Sequence, residues 1–454
     1  MENRKNFASN IGAVFAAAGS AIGLGNVWRF PTEMGNNGGA AYVFIYILCV
    51  LFIGLPIILG EFIIGRHTHK NNVDAYHQLA PRSGWVAQGY IAVFTGWFVL
   101  CYYAVVAGWT LKYLCVSATN QLSAITDSAT YFGDFSSSPW SPIIFTVAVL
   151  LITDAVVCMG VQNGIERFSK AAMPLLLIII LVLGIASLSL PGASAGMRFM
   201  FQPDFSKITS STILSAMGQA FFSLSVALGC LCTYASYFND STVLTKTAGS
   251  VALLDTLIAL LSGFIIFPAV FSVAGAQPES GPGLVFITLP NVFNTLFEGI
   301  PFLGYLSSTL FYLLLIVAAI TSTISLHEAV TAFLHEQGMS RRAAARVVTG
   351  VCIVLGTLCA MSFGPLQDFT PFFGMGFFDF FDYLSAKVML PVGGILISLF
   401  VGWKMDRKVI YDEMTNHGTL ARPMYPIFVF LLRWFIPIAI ILIFLNELGV
   451  FSRL

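Results

Sequence analysis

The chain alternates long apolar runs with short polar connections, and this alternation predicts a bundle of membrane-spanning helices. A helix needs about 20 apolar residues to cross the hydrocarbon core of a bilayer. Eleven runs fit this length, at residues 10–34, 39–65, 85–116, 141–160, 168–190, 211–237, 247–274, 303–334, 343–363, 371–403 and 423–446. Because the connections are short, we expect one transmembrane domain over residues 1–454.

The first run contains glycines and polar residues where a continuous helix is expected. Its interrupted part reads Gly19-Ser20-Ala21-Ile22-Gly23-Leu24-Gly25-Asn26. Each interior glycine costs a helix about 1 kcal/mol relative to alanine, and backbone groups freed inside a bilayer need polar partners. Gly19 and Gly23 alone would also suit a close helix–helix contact, but that alternative does not explain Gly25 and Asn26. The pattern therefore predicts an unwound segment that lines an ion and substrate site.

The sixth run repeats this interruption with Phe222, Ser223, Ser225 and Gly229. Runs one and six each open a block of five spans, at 10–190 and 211–403. Five is an odd number, so the second block is inverted relative to the first. Paired interruptions of this kind are typical of inverted-repeat transporters, and we expect an all-α 5+5 inverted repeat with the span at 423–446 outside it.

Composition supports an integral membrane protein. The chain is 57% hydrophobic and 10% charged, with a mean hydropathy of +0.84, whereas soluble domains carry about 25% charge. The net charge of zero argues against nucleic acid as a partner. An uncleaved first span is favoured over a signal peptide, because cleavage there would discard the polar core of that span.

Charge distribution predicts the orientation. Fifteen of the 22 basic residues lie in connections on the same side as the N-terminus, which places that side in the cytoplasm. An odd number of spans then leaves the C-terminus extracellular. The eight cysteines lie almost entirely inside the apolar runs, so no disulfide framework is expected, which suits a bacterial plasma membrane.

Isolated polar residues in later spans are candidate functional groups. The hydroxyls of Thr321, Ser322 and Thr323 can bond back to carbonyls of their own helix or bind a cation, and back-bonding is the preferred reading for a lone cluster. Asp255 is an intramembrane carboxylate and thus a functional candidate, with structural pairing to a hydroxyl as the alternative. For Glu61 the preferred interpretation is structural: its carboxylate would accept hydrogen bonds from backbone amides.

Two enzyme-like motifs do not fit their usual context. Gly192-Ala-Ser194-Ala-Gly196 follows a proline in a loop, not a strand-to-helix elbow. His327 and Glu328 lack the second histidine of a zinc-protease motif. These failures disfavour an intramembrane enzyme, and no organic cofactor is expected.

The motifs of the chain resemble the neurotransmitter:sodium symporter family, and within it the bacterial amino-acid transporters of LeuT type. The resemblance runs from about residue 4 to 446, although members usually have a twelfth span. It rests on Gly23-Leu-Gly-Asn-Val-Trp-Arg-Phe-Pro31, Tyr102-Tyr103 with Trp109, Gly164-Ile-Glu-Arg-Phe168, Phe221-Phe222-Ser-Leu-Ser225, Thr233-Tyr-Ala-Ser-Tyr237, Phe286-Ile-Thr-Leu-Pro290 and Ala318-Ala-Ile-Thr-Ser322.

The resemblance implies two sodium sites built from oxygen ligands, which hard cations prefer. The first site would use the substrate carboxylate with the Ala21 carbonyl, Asn26, Ser223 and Asp255. The second would use Thr321, Ser322 and the carbonyls of Gly19, Ile22 and Ala318. Because the substrate carboxylate completes the first site, ion and amino acid would bind together.

The resemblance also implies a substrate site between the two unwound segments. The carboxylate would meet the amides of Leu24 and Gly25 and the Tyr103 hydroxyl, and glycine at position 23 leaves room for it. The amino group would meet carbonyls near Ala21, Phe222 and Ser225, beside Ser223. An uncharged side-chain pocket, costly for charged side chains, would contain Val99, Val106, Phe222, Leu228, Thr323 and Leu326.

Two charge pairs are implied as gates. Arg29 and Asp382 would close the outside beneath a lid at 276–298, with Phe222 and Tyr103 as a thin inner layer. Arg4 and Glu336 would close the inside. A plain surface ion pair is the alternative for each, worth about 0–1 kcal/mol.

The implied function is sodium-coupled import of neutral hydrophobic L-amino acids, aliphatic and aromatic, by alternating access. Chloride is not expected to be required, because Ala259 has no hydroxyl where chloride-dependent relatives have serine, and Asp255 already supplies a negative charge. An amino-acid sensor of the same fold, which binds without transport, is the competing hypothesis.

Overall fold

The computed structural model describes residues 6–273, 282–420 and 424–447, most of which are helical. The first half contains α1 (Asn10–Ala21), α2 (Gly25–Asn36), α3 (Ala40–Thr68), α4 (Asn72–Leu79), α5 (Val86–Ala118), α6 (Ser128–Ser137), α7 (Ser141–Cys158), α8 (Val161–Ser187) and α9 (Ala193–Phe201). The second half contains α10 (Ser210–Ser223), α11 (Cys230–Ala235), α12 (Leu244–Phe271), α13 (Leu284–Leu296), α14 (Pro301–Glu336), α15 (Arg341–Met361), α16 (Phe377–Lys404), α17 (Arg407–Met414) and α18 (Tyr425–Leu445).

Nine helices in the described ranges are long and apolar enough to cross a membrane: α3, α5, α7, α8, α12, α14, α15, α16 and α18. The pair α1 and α2, bent by 56°, makes a tenth candidate. The predicted span at 211–237 corresponds to α10 and α11, which are too short to meet the same criterion. Helix length therefore supports nine or ten of the eleven predicted spans.

Polar side chains at the helix starts explain several boundaries. Ser9 accepts a hydrogen bond from the Gly12 amide at the start of α1. The Asn71 side chain accepts hydrogen bonds from two backbone amides at the start of α4. The Ser340 hydroxyl accepts one from the Ala343 amide at the start of α15. These caps satisfy amides that have no partner inside the helix.

The long helices α5 and α14 pack along each other at the centre of the bundle, and both contact α7 and α15. Helix α1 packs between α14, α12 and α8, and α3 contacts both α10 and α11. Helices α1 and α11 of the two interrupted spans both contact α14 inside the bundle.

Helix α17 is docked onto the end of α3 by buried charges. The Arg66 guanidinium lies 2.5 Å from a carboxylate oxygen of Glu413 and also donates to the Glu413 carbonyl at 3.0 Å. Burial disfavours the charged carboxylate, but hydrogen bonds from His67 and Arg66 outweigh burial and hold the pKa of Glu413 below its usual range.

Candidate ion and substrate site

The two helix breaks lie side by side at the centre of the molecule. Residue Ile22 leaves helical geometry at the end of α1, with φ −72° and ψ 110°. Between α10 and α11, Ser225, Ala227 and Gly229 have φ values of 51°, 65° and 75°. The Ser225 hydroxyl donates to the Ser20 carbonyl at 2.9 Å and ties the breaks together. Left-handed geometry is uncommon for residues other than glycine and often marks a functional segment.

A central cavity of about 40 Å³ lies between these breaks, α5 and α14. Its lining comprises Ser20, Ala21, Gly23, Gly25, Asn26, Val99, Tyr103, Phe222, Ser223, Ser225, Leu228, Ser322, Leu326 and Leu390. No formally charged residue is among them.

Polar groups lie close to the space beside Gly23. A methyl group built on Gly23 would lie 2.7 Å from the Ser322 hydroxyl and 2.8 Å from the Tyr103 hydroxyl. A methyl group on Gly25 would lie 2.9 Å from the Phe222 ring. The Leu24 amide already donates to the Tyr103 hydroxyl at 3.0 Å. Polar hydrogen-bonding groups therefore converge where glycine leaves space.

The polar side chains predicted for the first ion site form one buried cluster around Asp255. The Asn26 amide donates to a carboxylate oxygen of Asp255 at 2.7 Å and to the Ser223 hydroxyl at 3.0 Å. Ser223 donates to the second carboxylate oxygen at 2.9 Å. The Tyr46 hydroxyl donates to the same oxygen at 3.3 Å. A dense set of oxygen atoms is thereby gathered next to the α1 break.

The residues predicted for the second ion site also lie together, between α1 and α14. Both Thr321 and Ser322 donate to the Ala318 carbonyl, at 2.8 and 3.3 Å, which is the back-bonding geometry. Ser322 also reaches across to the Ile22 carbonyl at 3.2 Å. The Gly19 backbone packs closely against Thr321, since a methyl group on Gly19 would lie 3.2 Å from the Thr321 Cβ.

Two residues predicted for the side-chain pocket lie elsewhere. Thr323 does not line the central cavity, because its hydroxyl points towards α7 and bonds the Thr153 hydroxyl at 2.8 Å. Val106 lines a second, larger cavity instead. Val99, Phe222, Leu228 and Leu326 line the central cavity as predicted.

The larger cavity, here called the vestibule, has a volume of about 380 Å³ and adjoins the central cavity. Gly25, Tyr103, Phe222 and Leu390 line both cavities and separate them. Arg29 lies in the vestibule with its guanidinium carbon 4.6 Å from the centre of the Phe222 ring.

Asp382 also lines the vestibule. Among the described residues it makes no ion pair with Arg29, so the expected pair is not formed in this structure. Of the predicted lid at 276–298, residues 276–281 lie outside the described residues, and Pro282 lines the vestibule.

The opposite end of the site is covered by the segment that precedes α1. The Phe7 ring packs edge-on against Tyr234 and Tyr237, with ring centres 6.0 Å apart in both cases. Arg4, one half of the second predicted gate, lies outside the described residues. Glu336, the other half, accepts hydrogen bonds from the backbone amide and the side chain of Asn71, at 3.0 and 2.7 Å.

Sequence reasoning missed four residues at the site. Tyr46 contacts Asp255 from α3, and Leu390 separates the cavities. Gln219 donates to the Gly25 carbonyl at 3.3 Å. Ser20 lines the central cavity, and its buried hydroxyl has no hydrogen-bond partner in the described parts of the chain. Of these four, only Ser20 and Gln219 could have been found from the sequence, because both are polar residues within the two interrupted runs.

The helical bundle with two facing helix breaks defines a multi-pass membrane transporter. The chain belongs to the Sodium:neurotransmitter symporter family, whose sequence profile matches residues 4–136 and 140–454. It is 39% identical over 450 residues to the uncharacterized sodium-dependent transporter YhdH of Bacillus subtilis, covering 98% of both chains. It is 34% identical over 465 residues to an uncharacterized sodium-dependent transporter of Haemophilus influenzae, covering 98% of this chain and 99% of the other.

A solved structure has the same fold. The crystal structure of MhsT in complex with L-phenylalanine superimposes with a TM-score of 0.89 at 38% sequence identity, covering 98% of this chain and 100% of MhsT. The predicted family and the LeuT-type all-α fold are confirmed. The relatives are named as sodium-dependent transporters, which confirms the expectation of a transporter rather than an enzyme.

Proposed function

We propose that this sodium-dependent transporter imports neutral hydrophobic L-amino acids, aliphatic and aromatic, by alternating access. The central cavity carries the proposal, because it combines backbone and hydroxyl groups with the apolar side chains Val99, Leu228 and Leu326. At about 40 Å³ it is smaller than these substrates, so Phe222 and Leu390, which separate it from the vestibule, would move aside when a substrate binds. The similar protein MhsT has been crystallised in complex with L-phenylalanine. A charged substrate side chain would be buried here without a partner, at high cost.

The amino acid would be oriented by the broken helices. Its carboxylate would lie near Gly23 and accept hydrogen bonds from the amides of Leu24 and Gly25 and from the Tyr103 hydroxyl. Its amino group would donate to carbonyls near Ala21, Phe222 and Ser225. Gly23 supports this orientation, because any side chain there would occupy the space between Tyr103 and Ser322.

Two sodium ions would accompany the substrate. The first would bind the Ala21 carbonyl, Asn26, Ser223, Asp255 and the substrate carboxylate, and the second would bind between α1 and α14 at Gly19, Ile22, Ala318, Thr321 and Ser322. The buried cluster around Asp255 supports the first site. The bond from Ser322 to the Ile22 carbonyl supports the second, because it already joins ligands of both helices.

Transport would exchange two states of the bundle. In the present one, the vestibule reaches the central cavity from one side, and the segment around Phe7 covers the other side. We assign the vestibule to the outside and the N-terminus to the cytoplasm of a bacterial plasma membrane, because basic residues concentrate on the N-terminal side. The repeats at 10–190 and 211–403 would move against each other as rigid bodies around the fixed binding site.

Uptake into proteoliposomes tests the proposal. An inward sodium gradient should drive accumulation of labelled L-phenylalanine, and excess L-leucine or L-tryptophan should suppress it, whereas L-lysine and L-glutamate should not. Strong competition by lysine would overturn the pocket assignment. Sodium-dependent binding without accumulation would favour the sensor hypothesis.

A further inference from the structure

A third cavity, separate from the site described above, lies where α5 ends and α14 begins. It has a volume of about 190 Å³ and is bordered by the end of α5, the residues that follow it, α13 and the start of α14. Drug-sized ligands occupy cavities of about 300–1,000 Å³, so this space suits a ligand of only a few heavy atoms.

One residue that lines this cavity carries an unsatisfied polar group. Ser117 is 1% exposed, and its hydroxyl has no hydrogen-bond partner within the described ranges. A buried hydroxyl without a partner costs about 1–3 kcal/mol. A ligand that bonds Ser117 would remove this cost, so the group points to an occupant with a polar end.

The lining of the cavity also includes an anionic side chain and aromatic side chains. Glu298 is the one formally charged residue among the described residues that line it. Phe297 and Tyr305 add aromatic surface, which attracts cations. The side-chain nitrogen of Asn294 donates hydrogen bonds to the carbonyls of Leu122 and Ile125, both at 3.1 Å. The side-chain oxygen of Asn294 is therefore the atom that can accept a hydrogen bond from a ligand.

We propose that this cavity binds a small primary ammonium compound that carries a hydroxyl group, of the ethanolamine type. Its ammonium group would pair with Glu298 and donate to the Asn294 oxygen, and its hydroxyl would bond Ser117. The ligand would join α13 to the ends of α5 and α14, and it should therefore raise the melting temperature of the protein.

Equilibrium binding of radiolabelled ethanolamine to the purified full-length protein in detergent tests the proposal. We expect saturable binding that propan-1-ol, which lacks the charge, does not displace and that excess L-phenylalanine leaves unchanged. Glu298→Gln should raise the Kd about two- to fivefold, because it removes an ion pair at an exposed carboxylate. Glu298 is exposed, so this variant should fold.

Two further variants locate the ligand. Ser117→Ala should also weaken binding, because it removes the buried hydroxyl without adding bulk. Asp134→Asn removes another exposed carboxylate, from α6, and should leave the Kd unchanged. Absence of saturable binding would overturn the proposal, as would displacement by L-phenylalanine or equal affinity in the wild type, Glu298→Gln and Ser117→Ala proteins.

Discussion

Gly23 is the position at which a single methyl group should alter the site most. In Gly23→Ala the new methyl would lie within 2.8 Å of hydroxyls on Ser322 and Tyr103, so one of these groups must move. Overpacking of this kind costs about 1–3 kcal/mol, and we expect the affinity for L-phenylalanine to fall about tenfold or more. Scintillation-proximity binding in saturating sodium measures this change.

Gly184→Ala is the matched control for Gly23→Ala. Gly184 is also buried, although it lies inside α8, and a methyl group there meets no atom within 4 Å. Its binding should equal that of the wild type. Unchanged affinity in Gly23→Ala would mean that the substrate does not use the space between Tyr103 and Ser322.

Side-chain ligands of the two ion sites can be tested separately. Asn26→Ala and Thr321→Ala each delete a proposed oxygen ligand in a buried site, so each should abolish sodium-stimulated binding of L-phenylalanine. Thr110→Ala is the control, because Thr110 is a buried threonine whose hydroxyl, within the described ranges, bonds only the Val106 carbonyl of its own helix. Sodium titrations of binding in both variants measure the effect, and wild-type titration curves would contradict the ion-site assignment.

The sequence singled out several polar residues that interrupt apolar runs and that lie together in the structure. Asn26, Ser223 and Asp255 stand out in this way, and they form one cluster. Thr323 was misplaced because neighbouring helix residues point about 100° apart, and the sequence does not show which of three consecutive hydroxyls faces the cavity. Tyr46 was missed because a tyrosine in an apolar span normally indicates packing.

At the scale of elements, the sequence predicted a break in both the first and the sixth span, but the path of the backbone through the second break needed the structure. Residues 224–229 separate α10 from α11, although leucine, valine and alanine there are apolar. Their geometry depends on tertiary contacts such as the bond from the Ala227 amide to Glu61, at 2.6 Å. This bond confirms the amide-binding role predicted for Glu61. The sequence alone does not show whether Arg29 and Asp382 form an ion pair, because the distance between them depends on which conformational state the bundle adopts.

Glu166 on α8 holds the segment that precedes α1. This carboxylate accepts from the Ala8 amide at 2.7 Å and the Ser9 hydroxyl at 2.9 Å, and it lies 2.6 Å from the Lys170 ammonium. Glu166→Gln should therefore loosen the segment, and amide exchange over residues 6–12 should accelerate about tenfold or more, since hydrogen bonds to charged groups contribute about 1.5–3 kcal/mol.

Hydrogen–deuterium exchange with mass spectrometry measures this opening. Asp368→Asn, which alters an exposed carboxylate in the connection between α15 and α16, should leave exchange over residues 6–12 unchanged. Equal exchange rates in Glu166→Gln and the wild type would show that aromatic packing of Phe7 holds the segment without the carboxylate.

At the scale of the whole molecule, the positive charge of the bound sodium ions must be compensated by a negative charge. Asp255 is fully buried beside the proposed first sodium, and Ala259, one helical turn away on α12, has no hydroxyl to bind an anion. A chloride ion next to the carboxylate would be repelled by about 4 kcal/mol at a separation of 4 Å and an effective dielectric constant of 20. Carboxylate and chloride should therefore exclude each other.

Sodium-driven uptake of L-phenylalanine should consequently persist when gluconate replaces chloride on both sides of the proteoliposome membrane. Asp255→Asn removes the fixed charge, and in combination with Ala259→Ser it should make the uptake rate depend on chloride. Ala259→Ser alone is the control and should stay chloride-independent, because its carboxylate remains. Loss of wild-type uptake in gluconate would contradict charge compensation by Asp255 and would assign this residue a different role, such as proton transfer.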